Sequence, residues 1–273
     1  MRKHILFGLV LGLTLLMPAA ARAQLNMLQP TPAATPFGNP QYDVGGWFVG
    51  VDLLYLDKLF GKYNGLAPDS ILSVGYKTED NIVWQITWWD QWFSDVALPS
   101  EKLQIIDLSA RFETYKTDCF RQWCIIGPRA ILTDQHFDLS GGRAYDVTNV
   151  MVGGFIGAMN EWYLGTNPLG AFSFILDGDV GAYGNFLKQT ASSLGGSNST
   201  TSPFTLSGSL QGKAGFIWYV AEGVTIHFGL EALTIINMQQ NLNPNFTANS
   251  VSTTLSPTMP VWLGAYLSFG FVF

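Results

Sequence analysis

The chain has 273 residues, a formal charge of −6, only 12% charged residues, 14% aromatic residues and 29 glycines. The acidic balance argues against a nucleic-acid partner. The charged share is about half that of an ordinary soluble domain, which disfavours a secreted enzyme and suits a protein whose outside is apolar.

The N-terminus reads as a secretory leader. Arg2, Lys3 and His4 form a basic start, residues 5–17 an apolar run, and Pro18 breaks it. Ala21, Arg22 and Ala23 then form a cleavage signal before Gln24. The run is shorter than the roughly 20 residues a spanning helix needs, so residues 1–23 are expected to be removed. No cysteine stands directly after the cut, so a lipoprotein is not expected. Residues 24–44 carry Pro30, Pro32, Pro36 and Pro40 and read as an extended linker on the periplasmic side.

From residue 45 to 273 one further domain is expected. It holds no run of 18 apolar residues. A closed β-barrel is the other way to satisfy every backbone group in lipid. Alternating segments fall at about 46–56, 70–77, 81–91, 102–115, 122–133, 148–162, 170–187, 204–220, 223–238 and 259–273. The connections between them are alternately long and short, as in outer-membrane barrels with short periplasmic turns and long exterior loops. The fold class read from this is all-β: a closed antiparallel up-and-down transmembrane β-barrel of about ten strands, with 8–12 compatible. An even count places both termini in the periplasm, after secretion to the outer membrane. The loops 189–203 and 239–257 are uncharged, polar and rich in breakers.

Parity separates two faces. Ile82, Trp84, Ile86 and Trp88 oppose Asn81, Gln85 and Thr87; Phe172, Phe174, Leu176 and Val180 oppose Ser173, Asp177 and Asp179. The greasy parity is free of charge, as expected for lipid outside and a polar lumen. Aromatics cluster near segment ends: Tyr55, Trp92 and Phe93 toward the loops, and Tyr76, Phe120, Trp123, Trp162, Tyr163, Trp218 and Tyr219 toward the turns. They are expected to form two interfacial belts.

The last segment, VWLGAYLSFGFVF, alternates to its end at Phe269, Phe271 and Phe273. This ending resembles the assembly signal of bacterial outer-membrane barrels, which implies the barrel-assembly machinery as a partner. The stretches IIGPRAIL, NEWYLGTNPLGAFSFILDGDVGA and AEGVTIHFGLEAL resemble β-barrel porins of planctomycete type. The likeness implies fold and location more than a substrate.

By parity the lumen receives Asp52, Asp107, Arg111, Glu113, Arg129, Glu161, Asp177, Asp179, Lys213, His227 and Glu231. Such charges must be hydrated or paired. They either line a water path biased toward cations or pair across the lumen and plug it. Ten strands about 4.8 Å apart and tilted about 40° give a backbone diameter of roughly 20 Å, too narrow for a general porin. The expected role is a narrow porin-like channel for ions or small solutes. The alternative is a closed barrel that anchors or adheres, and third comes a small outer-membrane enzyme. Asp177 and Asp179, two apart on one face, are close enough to raise each other's pKa or to share a base. His227 is expected to bond Glu231 or another acid.

Cys119 and Cys124 flank four residues in an expected periplasmic turn, where disulfide geometry is feasible. Asp134, His136 and Asp138 lie at an expected exterior loop, without a second acidic pair or a G-x-S-x-G element to support enzyme chemistry. No catalytic residue, cofactor or metal is expected. The remaining partners are outer-membrane lipid and the passing ions or solutes.

Overall fold

Period-two alternation gives each strand one apolar and one polar row, and the fold places the two rows in different surroundings. The computed structural model describes residues 46–60, 66–78, 80, 82–93, 100–139, 143–167, 169–193, 196–201, 204–221, 223–241, 245–247, 250–252 and 255–273. The leader and the proline-rich linker lie outside the described residues.

Among the described residues fifteen strands are present: β1 (Gly46–Phe60), β2 (Leu66–Lys77), β3 (Ile82–Phe93), β4 (Ser100–Lys116), β5 (Phe120–Leu139), β6 (Arg143–Asn167), β7 (Gly170–Ser193), β8 (Gly196–Thr201), β9 (Thr205–Ala221), β10 (Val224–Ile236), β11 (Met238–Asn241), β12 (Asn245–Thr247), β13 (Ser250–Ser252), β14 (Leu255–Thr258) and β15 (Val261–Val272). Ten of them, β1–β7, β9, β10 and β15, pair antiparallel with their neighbours around a closed barrel. The seam joins β1 to β15, from Phe48 opposite Val272 to Lys58 opposite Trp262. Phe273 is bound into it: its N–H donates to Trp47 O at 2.8 Å, and Trp47 N–H donates to Phe273 O at 3.1 Å. The final aromatic is thus the end of a wall strand, with no sheet edge left open.

All ten expected segments are strands, but several continue further than the pattern indicated. Residues 134–147 were expected to be a loop; β5 and β6 instead stay paired from Phe120–Trp162 to Leu139–Arg143. The stretch after residue 188 carries the end of β7 and its hairpin with β8. The stretch 239–258 carries two small hairpins, β11 with β14 and β12 with β13. Ser, Thr and Asn read as breakers in isolation, yet next to an existing ladder their backbones simply extend it.

The outer face is apolar. Trp84, Ile86, Ile106, Val152, Ile156 and Leu230 are each about half exposed, with no polar cover. Toward the short turns an aromatic chain runs around the outside: Tyr115, Phe120, Trp162, Phe174, Phe216 and Phe228, with successive ring centres 5.3–6.0 Å apart. Trp47 with Tyr76 and Phe172 with Trp218 extend it. This is an interfacial girdle. Three residues assigned to it by sequence turn inward: Trp123, Tyr163 and Tyr219 are buried in the lumen, where their odd-numbered parity puts them. The side chains of Trp92 and Phe93 lie outside the described residues.

Candidate functional site in the lumen

The lumen is layered. Its middle layer holds charges that the ladders bring opposite one another. Asp107 faces Arg129 across β4–β5, and Asp177 faces Lys213 across β7–β9. Lys213 in turn faces Glu231 across β9–β10. The Arg129 guanidinium reaches across the lumen. It donates to Asp107 at 2.7 and 3.1 Å and to Asp179 at 2.8 and 3.0 Å, with Phe155 4.0 Å from its centre. Two bidentate carboxylates hold one fork, the geometry a guanidinium fits best. The Lys213 ammonium lies 3.2 Å from Glu231 and 3.8 Å from Asp52. Gln211 donates to the other Glu231 oxygen at 2.6 Å.

A cavity of about 110 Å³ lies among these groups, lined by Asp52, Asp107, Arg111, Arg129, Asp177, Asp179 and Lys213 among others. At about 30 Å³ per molecule this is room for a few waters. Asp177 and Asp179 do not share a base at hydrogen-bond range: Asp179 binds Arg129, and Asp177 lies opposite Lys213. Arg111 Nε and Glu113 Oε2 are buried without a hydrogen-bond partner.

Toward the loop end an apolar layer fills the bore. Leu56, Trp89, Leu103, Ile131, Met151, Leu233 and Trp262 belong to one buried cluster of fourteen residues. Nine of the ten barrel strands contribute to it, and no member is more than 5% exposed. A row-by-row continuation of the polar parity would not have shown this, because the lumen row turns apolar toward the loop end in nine of the ten strands. Above the apolar layer sits a second polar layer of Lys58, Gln91, Glu101, Thr133, Gln135, Asn149 and Asn185, all buried. Lys58 is paired with Glu101, and the hairpin β11–β14 covers the layer through Gln240, which donates to Glu101 at 3.2 Å.

At the turn end, Arg121 donates to Glu161 at 2.7 Å and to the Tyr219 hydroxyl at 3.0 Å, and that hydroxyl donates to Glu161. Lys58, Asp69, Glu101 and Arg121 were missed by sequence because their segments were read as loops or turns. Continuing the even parity of Asp52, Leu54 and Leu56 by one step would have found Lys58.

Three expectations are corrected. Cys119 and Cys124 are both free thiols. The chain reverses at residues 117–119, so Cys124 is already in β5, with Phe112 and Ala158 as ladder neighbours. Cys119 packs on the buried Tyr163–Tyr219 cluster. Five residues apart across the start of one strand, the two thiols cannot be cross-strand partners. His227 does not meet Glu231, which lies four strand positions away; its Nε2 contacts Thr225 Oγ1 at 3.2 Å. His136 lies in β5, not in a loop. It is on the outer parity, beyond the apolar row that ends at Leu132, with Asp146 at 2.5 Å and Asp138 at 3.1 Å. The hydrogen bond to Asp146 raises its pKa above 6.5, reinforced by Asp138 and opposed by partial burial.

A closed ten-stranded antiparallel barrel with an apolar belt outside defines the class: this is a transmembrane β-barrel. Among solved structures, the chain is similar to the translocator domain of the autotransporter NalP from Neisseria meningitidis, at 11% identity, covering 97% of this chain and 99% of that one, TM-score 0.49. It is also similar to the outer membrane protease OmpT from Escherichia coli, at 10% identity, covering 84% and 94%, TM-score 0.46. A third is the CymD monoaromatic hydrocarbon channel, at 9% identity, covering 84% and 88%, TM-score 0.36. No protein-family model matches the chain, and no curated protein matches it.

Proposed function

We propose that this outer-membrane barrel is sealed along its axis and acts through its exterior end, as a scaffold that displays a tall sheet and loop hairpins outside the cell. In this reading the short turns and both termini face the periplasm. The observation that carries the reading is the apolar layer built by nine of the ten strands, every member at most 5% exposed. A water path wets its walls, and these walls are dry. Below it, Arg129 and Lys213 bridge the acids that an open cation path would leave hydrated. The tall sheet is β5–β7, whose 20, 25 and 24 residues exceed the roughly 9–11 needed to cross a bilayer. Its own apolar cluster, Phe137, Tyr145, Val147 and Leu187, packs at the loop end.

The second reading is the narrow channel expected from the sequence. The cavity of about 110 Å³ among the mid-lumen charges favours it, and it requires the apolar layer to part. Proteoliposome swelling separates the two. Liposomes carrying the refolded barrel should shrink in hyperosmotic glycine or potassium chloride and stay shrunken, as protein-free liposomes do. Rapid re-swelling would support the channel. The planctomycete-type likeness belongs with that second reading, since it rests on sequence stretches alone.

A further inference from the structure

Between the apolar layer and the exterior lies a polar layer that the sealed-barrel reading does not use. Gln91, Glu101, Gln135, Asn149 and Asn185 face the lumen from β3 to β7, and none is more than 4% exposed. Its ion pair, Lys58 with Glu101, is satisfied within itself, and the neighbouring buried Asp69 is held by the Trp89 indole. Three of its carboxamides are not fully satisfied. Both polar atoms of Gln91, Oε1 of Gln135 and Oδ1 of Asn185 have no hydrogen-bond partner. Buried amides are normally bonded, so these three mark a place where hydrogen-bonding capacity is held for something else. Gln91 offers a donor and an acceptor side by side and the other two offer an acceptor each, the complement of hydroxyl groups.

The cover over this layer is separable from the wall. Asn237, at φ 60°, turns the chain out of β10 and across the mouth. Beyond it, Met238 inserts into the apolar cluster, and Gln239 exchanges bonds with Asn149 at 3.0 and 3.2 Å. Gln240 reaches Glu101. Among the described residues, one methionine and a few polar bonds hold β11–β14 down.

We propose that this layer is a binding site for a small uncharged polyhydroxylated solute, and that the hairpin β11–β14 is its lid. The solute enters from the loop end and goes no further. That last point rests on the sealed-barrel reading; the site itself does not.

Two measurements on the refolded full barrel test it. In the first, glucose is titrated against the wild type by calorimetry. Saturable binding is expected, weakened about tenfold or more in Gln135→Leu and in Asn185→Leu, each checked for the folded band on an unheated gel. No saturable binding, or equal binding in both variants, overturns the site. In the second, Gln91→Cys is made in a Cys119→Ser, Cys124→Ser background and reacted in liposomes with a charged thiol reagent. Labelling should be slow, and at least tenfold faster once Met238→Ser and Gln240→Ala loosen the hairpin. Equal rates overturn the lid. Ion flux through the barrel with glucose binding intact would contradict the sealed lumen and leave the site standing, so the two failures are distinguishable.

Discussion

Arg129 shows how one residue decides what a lumen charge means. By parity alone, Asp107 and Asp179 are acids facing water; with Arg129 forked between them they are two-thirds of a closed ion triad. Removing the cation leaves two carboxylates facing each other in a largely buried place. Arg129→Ala is expected to lose about 3–5 kcal/mol in urea-driven unfolding. Replacing the whole triad, with Arg129→Met, Asp107→Asn and Asp179→Asn, is expected to recover most of it. A triple variant as unstable as the single one would show that the loss is not an uncompensated charge. His136 gives a titration outside the membrane. Its pKa is raised in the folded state, so its tie to Asp146 stabilises β5 against β6 fully below about 6.5 and fades as pH rises through the higher folded value. The imidazole titration by NMR should move toward 6.5 in Asp146→Asn, and an unmoved midpoint would remove Asp146 as the cause. The parity of Asp52, Asp107, Arg129, Glu161, Asp179, Lys213 and Glu231 was legible in the sequence. Their partners were not, because pairing depends on register across strands far apart in the chain.

At the scale of elements, the ten wall strands were legible because lipid on one side and a mixed lumen on the other enforce strict alternation. Their loop-side ends were not. Beyond the apolar row neither face of β5 or β6 meets lipid, so alternation no longer reports the strand. Residues such as Asp134, His136 and Asp138 then look like a loop although each sits in the ladder. At the opposite, short-turn end the β4–β5 reversal falls at residues 117–119, so Cys119 and Cys124 do not flank it. Two free thiols per chain are expected on titration of the denatured, unreduced protein, and none would restore the disulfide. The strands also fit one another through small residues. Gly215, Gly229 and Tyr266 share a ladder row on β9, β10 and β15, and a Cβ built on Gly215 would stand 2.3 Å from the Phe228 carbonyl oxygen and 2.6 Å from the Tyr266 hydroxyl. Gly215→Ala already meets the backbone of β10, so the ladder must shift, at a cost of about 1–3 kcal/mol in the same unfolding experiment. An alanine variant as stable as the wild type would argue against this close approach.

For the molecule as a whole, the sequence indicates a barrel more strongly than it indicates an open one. Circumference follows from strand number, and ten strands leave a bore that side chains can fill. Filling depends on which residues meet at one height, which strand tilt and stagger set and local pattern does not display. Leu56, Leu103, Ile131, Met151, Leu233 and Trp262 come from six strands and read, one by one, as unremarkable apolar positions near strand ends. Together they close the tube. The layers above and below are polar, so the barrel carries two polar compartments separated by a dry partition.

Single-channel recording of the refolded wild type in a planar bilayer tests that partition most directly. Insertion, confirmed by recovery of folded protein from the membrane, should leave the bilayer without discrete current steps at moderate voltage in potassium chloride. Reproducible steps with a cation-selective reversal potential under a salt gradient would contradict the sealed lumen and make the mid-lumen acids the wall of a working path.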